Sequence, residues 1–280
     1  MEKRGILYST GQLDCLAYYS KIFAKIKNFV KDKPIATKTF LPKSEIPFIL
    51  HRGSKDPLLR IQDLLGIKQS FLKKRYHKKL HEIEDELSEK EKLIWRYFPP
   101  RRLIEIHYAC NYELPSNKID RIFIDIDSYK KPEKDYILVI KELLNQIKKD
   151  KGLKKLFSFR IKILWTGASI HVYLLLNKSI PASYYEKYFS FHKNTFTSKW
   201  AQKITEKLKI QVKAGHERTP GKIILDTSAT PPGKLARLPY SLHLSSKGRL
   251  NGVSIPLKES DIRPGLFKLR NLTPDKALKY

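Results

Sequence analysis

RIFIDID, residues 121–127, is the stretch of sequence that decides the fold. Its β-branched and apolar residues predict a β-strand. Side chains alternate between the two faces of a strand, which places Asp125 and Asp127 on one face and Ile124 and Ile126 on the other. Two carboxylates so close repel each other unless a cation lies between them, so the pattern indicates half of a magnesium or manganese site. A D-x-D pair also occurs on exposed strand edges without any ligand.

The composition of the chain is strongly basic. Its 280 residues include 56 Lys plus Arg against 28 Asp plus Glu, a formal net charge of +28. A chain of this length buries a substantial core and forms one large domain or two interlocked ones. The charge indicates a polyanionic partner, for which nucleic acid is the simplest choice, because phosphate binding releases counterions. A Lys-rich proteome or a thermophile's charged surface is the alternative, although thermophile charge usually comes as paired Lys and Glu.

The sequence also bears on compartment and metal class. It contains no apolar run long enough to span a bilayer and no signal peptide, so we expect a cytoplasmic, nucleoid-associated protein without a membrane partner. Cys15 and Cys110 are the two cysteines. They are too few for a four-cysteine zinc site or an ordinary iron–sulfur cluster, and we expect them to be reduced, and buried or inert.

The first 98 residues are predicted to form a largely helical part that packs on a core of residues 99–280. Apolar spacing up to Val30 predicts one amphipathic helix. Further predictions in this part are a loop over 34–47, a short strand over 47–53 and charged helix over 56–95.

The core is predicted from alternation and turn signals. Residues 101–112 alternate like a strand and are followed by a Pro-Ser-Asn turn, so we expect them to lie antiparallel beside the 121–127 strand. Residues 136–151 predict an amphipathic helix that stops near Gly152. Later predictions are a strand, a turn at Thr166 and Gly167, a second strand, and a helical, aromatic-rich region over 181–208 whose rings form core.

Two further groups of polar residues are candidates for a site. Ser169 and His171 share one face of the strand after the Gly167 turn, and this set can hold phosphate oxygens. A histidine on the polar face of a strand is, however, usually only part of the sheet. The strand over 222–226 ends in Asp226, which could complete a three-carboxylate site with the D-x-D pair.

Taken in order, these motifs resemble the archaeo-eukaryotic primase superfamily, and most closely the catalytic small subunit of archaeal and eukaryotic DNA primases. That family has an acidic D-x-D, a glycine turn with S-x-H, an apolar residue with aspartate, then an arginine and a P-x-S-L-H run. The matching residues here are Asp125-Ile126-Asp127, Gly167 with Ser169 and His171, Leu225-Asp226, and Arg237 with Pro239-Tyr240-Ser241-Leu242-His243. The RLPYSLH run is the most specific of them.

The resemblance implies an α+β fold, a primase catalytic core with an RRM-like mixed sheet flanked by helices. It implies a DNA primase, a template-dependent nucleotidyltransferase that makes primers on single-stranded DNA with two Mg²⁺ or Mn²⁺ ions. The implied metal ligands and catalytic residues are Asp125, Asp127 and Asp226. The implied nucleotide-binding residues are Ser169, His171, Arg237, His243 and Lys247. Implied partners are single-stranded DNA, nucleoside triphosphates and, in some members, a primase large subunit.

The chain departs from the family at two points. Leu244, Ser245 and Ser246 intervene before Lys247, where the family has a glycine and then a lysine, and two cysteines cannot build the family's zinc knuckle. Two alternatives stay open. One is a primer-extending, repair-type polymerase of the same superfamily. The other is a non-catalytic basic nucleic-acid-binding protein whose carboxylates are structural.

Overall fold

The computed structural model describes residues 13–41, 49–53, 55–128 and 131–280. Residues 42–47 of the predicted loop and residues 47–48 of the predicted strand lie outside this range. The α-helices are α1 Cys15–Ser20, α2 Phe23–Val30, α3 Gln69–His77, α4 Glu89–Tyr97, α5 Glu133–Lys149, α6 Lys151–Leu156, α7 Ser183–Tyr188, α8 Phe196–Leu208 and α9 Pro274–Ala277. Short 3₁₀ helices cover Ile61–Leu64, Leu80–Glu82, Glu84–Glu86, Glu259–Asp261 and Leu266–Asn271.

The strands belong to three sheets. They are β1 Ile35–Thr39, β2 Ile49–His51, β3 Ile104–Ala109, β4 Lys118–Ser128, β5 Phe159–Trp165, β6 Ile170–Pro181, β7 Val212–Ala214, β8 Ile223–Asp226, β9 Leu235–Arg237, β10 Leu242–Leu244, β11 Leu250–Val253 and β12 Ile255–Leu257. The sheet orders are β2-β1-β3-β9, β10-β11 and β12-β5-β6-β4-β8-β7.

The chain divides into two compact units. The first unit comprises Met1–Ala109, Leu235–Ile255 and Arg270–Tyr280, and the second comprises Cys110–Lys234 and Pro256–Leu269. The chain therefore leaves the first unit after β3 and returns to it at β9. The predicted division at residues 98 and 99 follows motif content and stays a prediction.

The first unit contains a strand where a loop was predicted. β1 lies inside the 34–47 stretch and pairs antiparallel with β3 from Ile35 opposite Tyr108 to Thr39 opposite Ile104. Its β-branched residues alternate with Ala36 and Lys38, which suits a pleated strand. The loop prediction is wrong because the flanking prolines outweighed this short alternation.

The predicted N-terminal helix is two helices, α1 and α2. The Lys21 amide bonds the Tyr18 carbonyl at 3.2 Å and the Ile22 amide bonds the Tyr19 carbonyl at 2.9 Å. These tight i to i+3 bonds end α1 before α2 begins. Both cysteines are buried, as predicted, and burial raises the pKa of the Cys15 thiol to about 12.

The second unit is built around β4, which lies between β6 and β8 and is antiparallel to both. The predicted strand, turn and strand over the Thr166–Gly167 region are confirmed as β5 and β6, and the strand ending at Asp226 as β8. Ile124 and Ile126 are fully buried, so one face of β4 belongs to the core. The other face presents the two aspartates.

The predicted pairing of the 101–112 strand with the 121–127 strand is wrong. β3 pairs with β1 and β9, in a different sheet from β4. Asn111, just after β3, accepts hydrogen bonds from the Asp120 and Arg121 amides at 2.7 and 3.0 Å, so its side chain satisfies backbone groups of β4. β3 pairs instead with strands distant in sequence, as in the pairing of His107 with Arg237 of β9.

Two predicted helical regions are divided by capping residues. α5 ends at Lys149 and not at Gly152, because Asp150 starts α6 by accepting the Leu153 amide at 3.0 Å. Residues 181–208 form α7 and α8, and Thr195 caps α8 through the Ser198 amide. Trp200 is fully buried, in agreement with the prediction that these aromatics are core. Within the described ranges, no helix has the length and apolar character that crossing a membrane requires.

Candidate active site

Three polar side chains form one row across the sheet of the second unit. Asp125 of β4 lies directly opposite Asp226 of β8 and, on its other side, directly opposite His171 of β6. Residues in register on neighbouring strands share a face and lie close together. The structure therefore brings together, from three separate strands, two predicted metal ligands and a predicted nucleotide-binding residue.

Asp125 is held by two partners from the β5–β6 turn and β6. The Ser169 hydroxyl donates to Asp125 Oδ1 at 2.9 Å, and His171 Nε2 lies 3.6 Å from the same oxygen. Burial alone would raise the pKa of Asp125, but His171, Ser169 and the more distant Arg218 together outweigh it and place this pKa below its ordinary value. Asp125 is therefore an ionised, oriented carboxylate at neutral pH.

The turn before β6 fixes the position of Ser169. Thr166 Oγ1 accepts from the Ser169 amide at 2.9 Å, and the Thr166 amide bonds the Ser169 carbonyl at 2.9 Å. Gly167 has φ +94°, a left-handed conformation that glycine adopts without steric cost. The sequence of this turn is thus what presents a hydroxyl to Asp125.

His171 is also held from its other side. Its Nδ1 lies 3.3 Å from the Tyr173 hydroxyl, and its ring packs edge-on against Phe123 with centroids 4.7 Å apart. His171 is nearly buried, with 8% of its side chain exposed. The imidazole is therefore confined to one orientation beside Asp125.

A tyrosine of α5 joins the two central strands beneath this row. The buried Tyr136 hydroxyl donates to the Ile126 carbonyl at 2.6 Å and accepts from the Ile170 amide at 2.7 Å. Ile126 lies between the two aspartates of β4, and Ile170 lies between Ser169 and His171. One side chain therefore fixes the spacing of the two segments that present the polar row, and no sequence motif predicted this role.

Asp127 is paired with a residue that sequence analysis missed. Arg218, in the loop before β8, donates from Nη2 to Asp127 Oδ1 at 3.1 Å and from Nε to Oδ2 at 3.3 Å. Burial and the neighbouring Asp125 charge raise the pKa of Asp127, and Arg218 only partly offsets them. Nothing in the spacing of Arg218 marks it, since an isolated loop arginine has no periodicity to be recognised by.

Asp226 is oriented by its own chain. Its Oδ1 accepts from the Ser228 amide at 2.7 Å, a local turn that fixes the carboxylate at the end of β8. Burial raises the pKa of Asp226 above its ordinary value; the Ser228 hydrogen bonds oppose this, and the Asp125 charge adds to it. The raised pKa values of Asp127 and Asp226 indicate that neither carboxylate has enough positive charge around it to offset its burial.

The donor set fits a hard divalent cation. Carboxylate oxygens are the ligands that Mg²⁺ and Mn²⁺ prefer, and the three aspartates would hold such an ion. As the side chains stand, the described residues contain no group of three or more His, Cys, Asp or Glu side chains close enough to hold a metal. At Asp127, the Arg218 guanidinium bonds both carboxylate oxygens and so occupies the place of a cation.

The other predicted nucleotide-binding residues lie in the first unit. Arg237 ends β9 and donates to the Leu242 carbonyl at 2.8 Å, and its Nη1 is 3.0 Å from Oε1 of the buried Glu105. His243 is the central residue of β10, and Lys247 is exposed in the turn between β10 and β11. Glu105, which sequence analysis also missed, thus orients Arg237.

Comparisons with known proteins identify the fold. No protein-family model and no curated protein matches the chain. A solved structure, the polymerase domain from Mycobacterium tuberculosis Ligase D in complex with DNA, matches over 99% of this chain and 94% of that chain, with a TM-score of 0.61 and 15% identity. The predicted α+β fold is confirmed, and it is similar to the fold of that polymerase domain.

Proposed function

We propose that this chain is a DNA-directed nucleotidyltransferase whose reaction centre is formed by Asp125, Asp127 and Asp226. The observation that supports this most is the direct opposition of Asp125 and Asp226 on neighbouring strands, with the Ser169 hydroxyl hydrogen-bonded to Asp125 and His171 Nε2 3.6 Å from the same carboxylate. Burial also raises the pKa values of Asp127 and Asp226, and shifted carboxylate pKa values cluster at functional sites.

The proposed reaction is attack of a 3′-hydroxyl on the α-phosphorus of a nucleoside triphosphate, with pyrophosphate as leaving group. Bound Mg²⁺ or Mn²⁺ ions, two in this proposal, supply activation of the hydroxyl and neutralisation of the phosphate charge. Asp125, Asp127 and Asp226 hold these ions, and Ser169 and His171 keep Asp125 ionised and oriented. His171 contributes further as a nucleotide-binding residue, together with Ser169.

The remaining nucleotide contacts are assigned by motif. Arg237, His243 and Lys247 bind the triphosphate in this proposal, because a guanidinium, an imidazole and an ammonium all donate to phosphate oxygens. The bond from Arg237 to Glu105 supports the assignment, since an arginine held by a buried carboxylate is oriented before it meets its ligand.

The specific activity that we propose is primer synthesis on single-stranded DNA, carried out alone or with a large subunit. The RLPYSLH run supports it, as does the net charge of +28, which suits a polyanionic template. A second candidate is extension of an existing primer. It is favoured by the similar solved structure, which is a polymerase domain in complex with DNA.

Incubation with labelled ribo- or deoxyribonucleotides on unprimed and primed templates, with Mg²⁺ or Mn²⁺, tests both candidates. Short products on the unprimed template support a primase, and extension only of an annealed primer supports the polymerase. The Asp125→Ala, Asp127→Ala double variant is the control and should make neither product. If the native protein and the double variant both bind DNA and neither makes a product, the alternative of a non-catalytic nucleic-acid-binding protein is supported.

A further inference from the structure

The densest positive charge of the second unit lies in residues 148–162, here called the basic segment. Seven of these fifteen residues are Lys or Arg, and one, Asp150, is acidic. The segment runs from the end of α5 through α6 into β5. The seven basic residues are Lys148, Lys149, Lys151, Lys154, Lys155, Arg160 and Lys162, and all are exposed.

These charges are mostly uncompensated. Lys148 pairs with Glu259. Asp150 is used internally, because its Oδ2 accepts from Trp200 Nε1 at 3.0 Å and its Oδ1 caps α6. None of the other six basic residues forms an ion pair with any residue in the described part of the chain. An ordinary solvated helix face differs, as α4 shows, where Lys92 pairs with Glu89 at 2.9 Å.

A groove of about 360 Å³ opens within the basic segment. Phenylalanine and lysine both line it, and single-stranded nucleic acids bind where aromatic rings meet bases and cations meet phosphates. Leu156, 46% exposed, adds apolar surface within the same segment. The lining residues are Lys148, Lys154, Phe157, Ser158, Phe159 and Ile161.

The segment reaches both faces of the sheet. Along β5, Phe159 and Ile161 point to the face of the groove, so Arg160 and Lys162 point to the opposite face. Lys162 lies opposite Tyr173 of β6, two positions along from His171. The cations of the basic segment therefore lie on both faces of the sheet.

The helix dipoles explain only part of this distribution of basic residues. Lysines at the ends of α5 and α6 interact favourably with the helix dipoles, which accounts for Lys148, Lys149, Lys154 and Lys155. It does not account for Arg160 and Lys162, which lie in a strand. A ligand that spans helix and strand accounts for both groups.

We propose that the basic segment binds single-stranded nucleic acid, with phosphates on its cations and a base in the groove. Charge complementarity and the aromatic lining select this occupant. The binding stands on these features alone and does not require the carboxylates to be catalytic.

The test is fluorescence anisotropy with labelled oligo-dT over a range of salt concentrations. Two double variants, Lys154→Gln with Lys155→Gln and Arg160→Gln with Lys162→Gln, are compared with Lys199→Gln and Lys203→Gln of α8, which removes the same charge from exposed positions of the same unit. All are made in the Asp125→Ala, Asp127→Ala background, so failure of catalysis cannot affect the result. Thermal melts verify that each variant is folded.

Each double variant of the basic segment is expected to bind oligo-dT about tenfold more weakly than the protein without it. The slope of log affinity against log salt should become less steep by about 1.4, which is about 0.7 for each lost phosphate contact. The α8 variant should change neither quantity. Equal affinity for oligo-dT in the variants of the basic segment and the α8 variant would overturn the proposal. The proposal would also be overturned if the variants of the basic segment bound DNA unchanged but lost binding to phosphatidylserine vesicles. That result would identify the segment as a membrane-binding surface.

Discussion

The Arg218 guanidinium bonds both oxygens of the Asp127 carboxylate, with distances of 3.1 and 3.3 Å. Asp127 is thereby paired with a side chain of its own chain, while Asp125 accepts from Ser169 and lies 3.6 Å from His171 Nε2. The Arg218 side chain is 69% exposed and reaches Asp127 from a loop, so the pair can open without repacking the core. A cation that binds Asp127 competes with Arg218.

Replacing Arg218 should strengthen cation binding. In Arg218→Gln, the competing charge is gone, and we expect affinity for Mn²⁺ to rise by up to about fivefold, because an exposed ion pair contributes at most about 1 kcal/mol. Isothermal titration calorimetry measures this directly. Arg263→Gln, an exposed arginine of the same unit, is the control. Weaker Mn²⁺ binding by the Arg218 variant would show that the arginine supports the cation instead of competing with it.

Replacing Asp226 by a neutral isostere should stabilise the protein at neutral pH. The pKa of Asp226 is raised in the folded state, so the folded state holds the proton more tightly than the unfolded state, and ionisation costs stability as pH rises through this range. Asn keeps an oxygen for the Ser228 amide. Asp226→Asn should therefore gain roughly 0.5–1 kcal/mol in the free energy of unfolding at pH 7.

That gain should disappear in acid, where the native carboxyl is itself protonated. Urea unfolding from neutral pH to the acid range measures it, with Asp85→Asn, an exposed carboxylate, as the control. A variant less stable than the native protein at pH 7 would refute the assignment of Asp226 as a destabilising charge.

Removing the Tyr136 hydroxyl should loosen the join between β4 and β6. Tyr136→Phe leaves the Ile126 carbonyl and the Ile170 amide without this buried partner, at a cost of about 2 kcal/mol. Hydrogen exchange of the Ile170 amide should accelerate accordingly. The same change at Tyr184, which is 37% exposed, should have little effect. Unchanged exchange at Ile170 would mean that the hydroxyl does not hold the strands.

Glu105 should influence nucleotide binding through Arg237. Glu105 is 1% exposed and accepts from the Leu244 amide at 2.6 Å as well as from Arg237. Glu105→Gln retains the shape but removes the charge that orients the guanidinium, so we expect KM for the nucleotide to rise about tenfold with kcat less affected. Glu206→Gln of α8 is the control. A fall in kcat with unchanged KM would argue against this role.

Local sequence patterns predicted the strands that matter most. Alternation alone was sufficient for β4, where the apolar face buries Ile124 and Ile126, and for the β5–β6 pair with its glycine turn. The same alternation placed Asp125 and Asp127 on one face. The possible contribution of Asp226 followed from its place at the end of a β-branched strand, and the structure puts it opposite Asp125.

Distant contacts could not be predicted in this way. β3 was assigned to the wrong neighbour because sheet order depends on contacts far apart in sequence, such as the pairing of His107 with Arg237 of β9. Arg218, Tyr136 and Glu105 were missed for the same reason. Each acts through partners that only the fold brings near, and none of the three belongs to a motif.

Asp226→Asn provides the most direct test of the proposed reaction centre, because it is expected to be folded and stable. Incorporation of labelled nucleotide on primed and unprimed DNA should be seen with the native protein and should fall by about 100-fold or more in the variant, with unchanged affinity for DNA. Equal incorporation by native protein and variant, or none by the native protein on either template, would contradict nucleotidyl transfer at the carboxylate row.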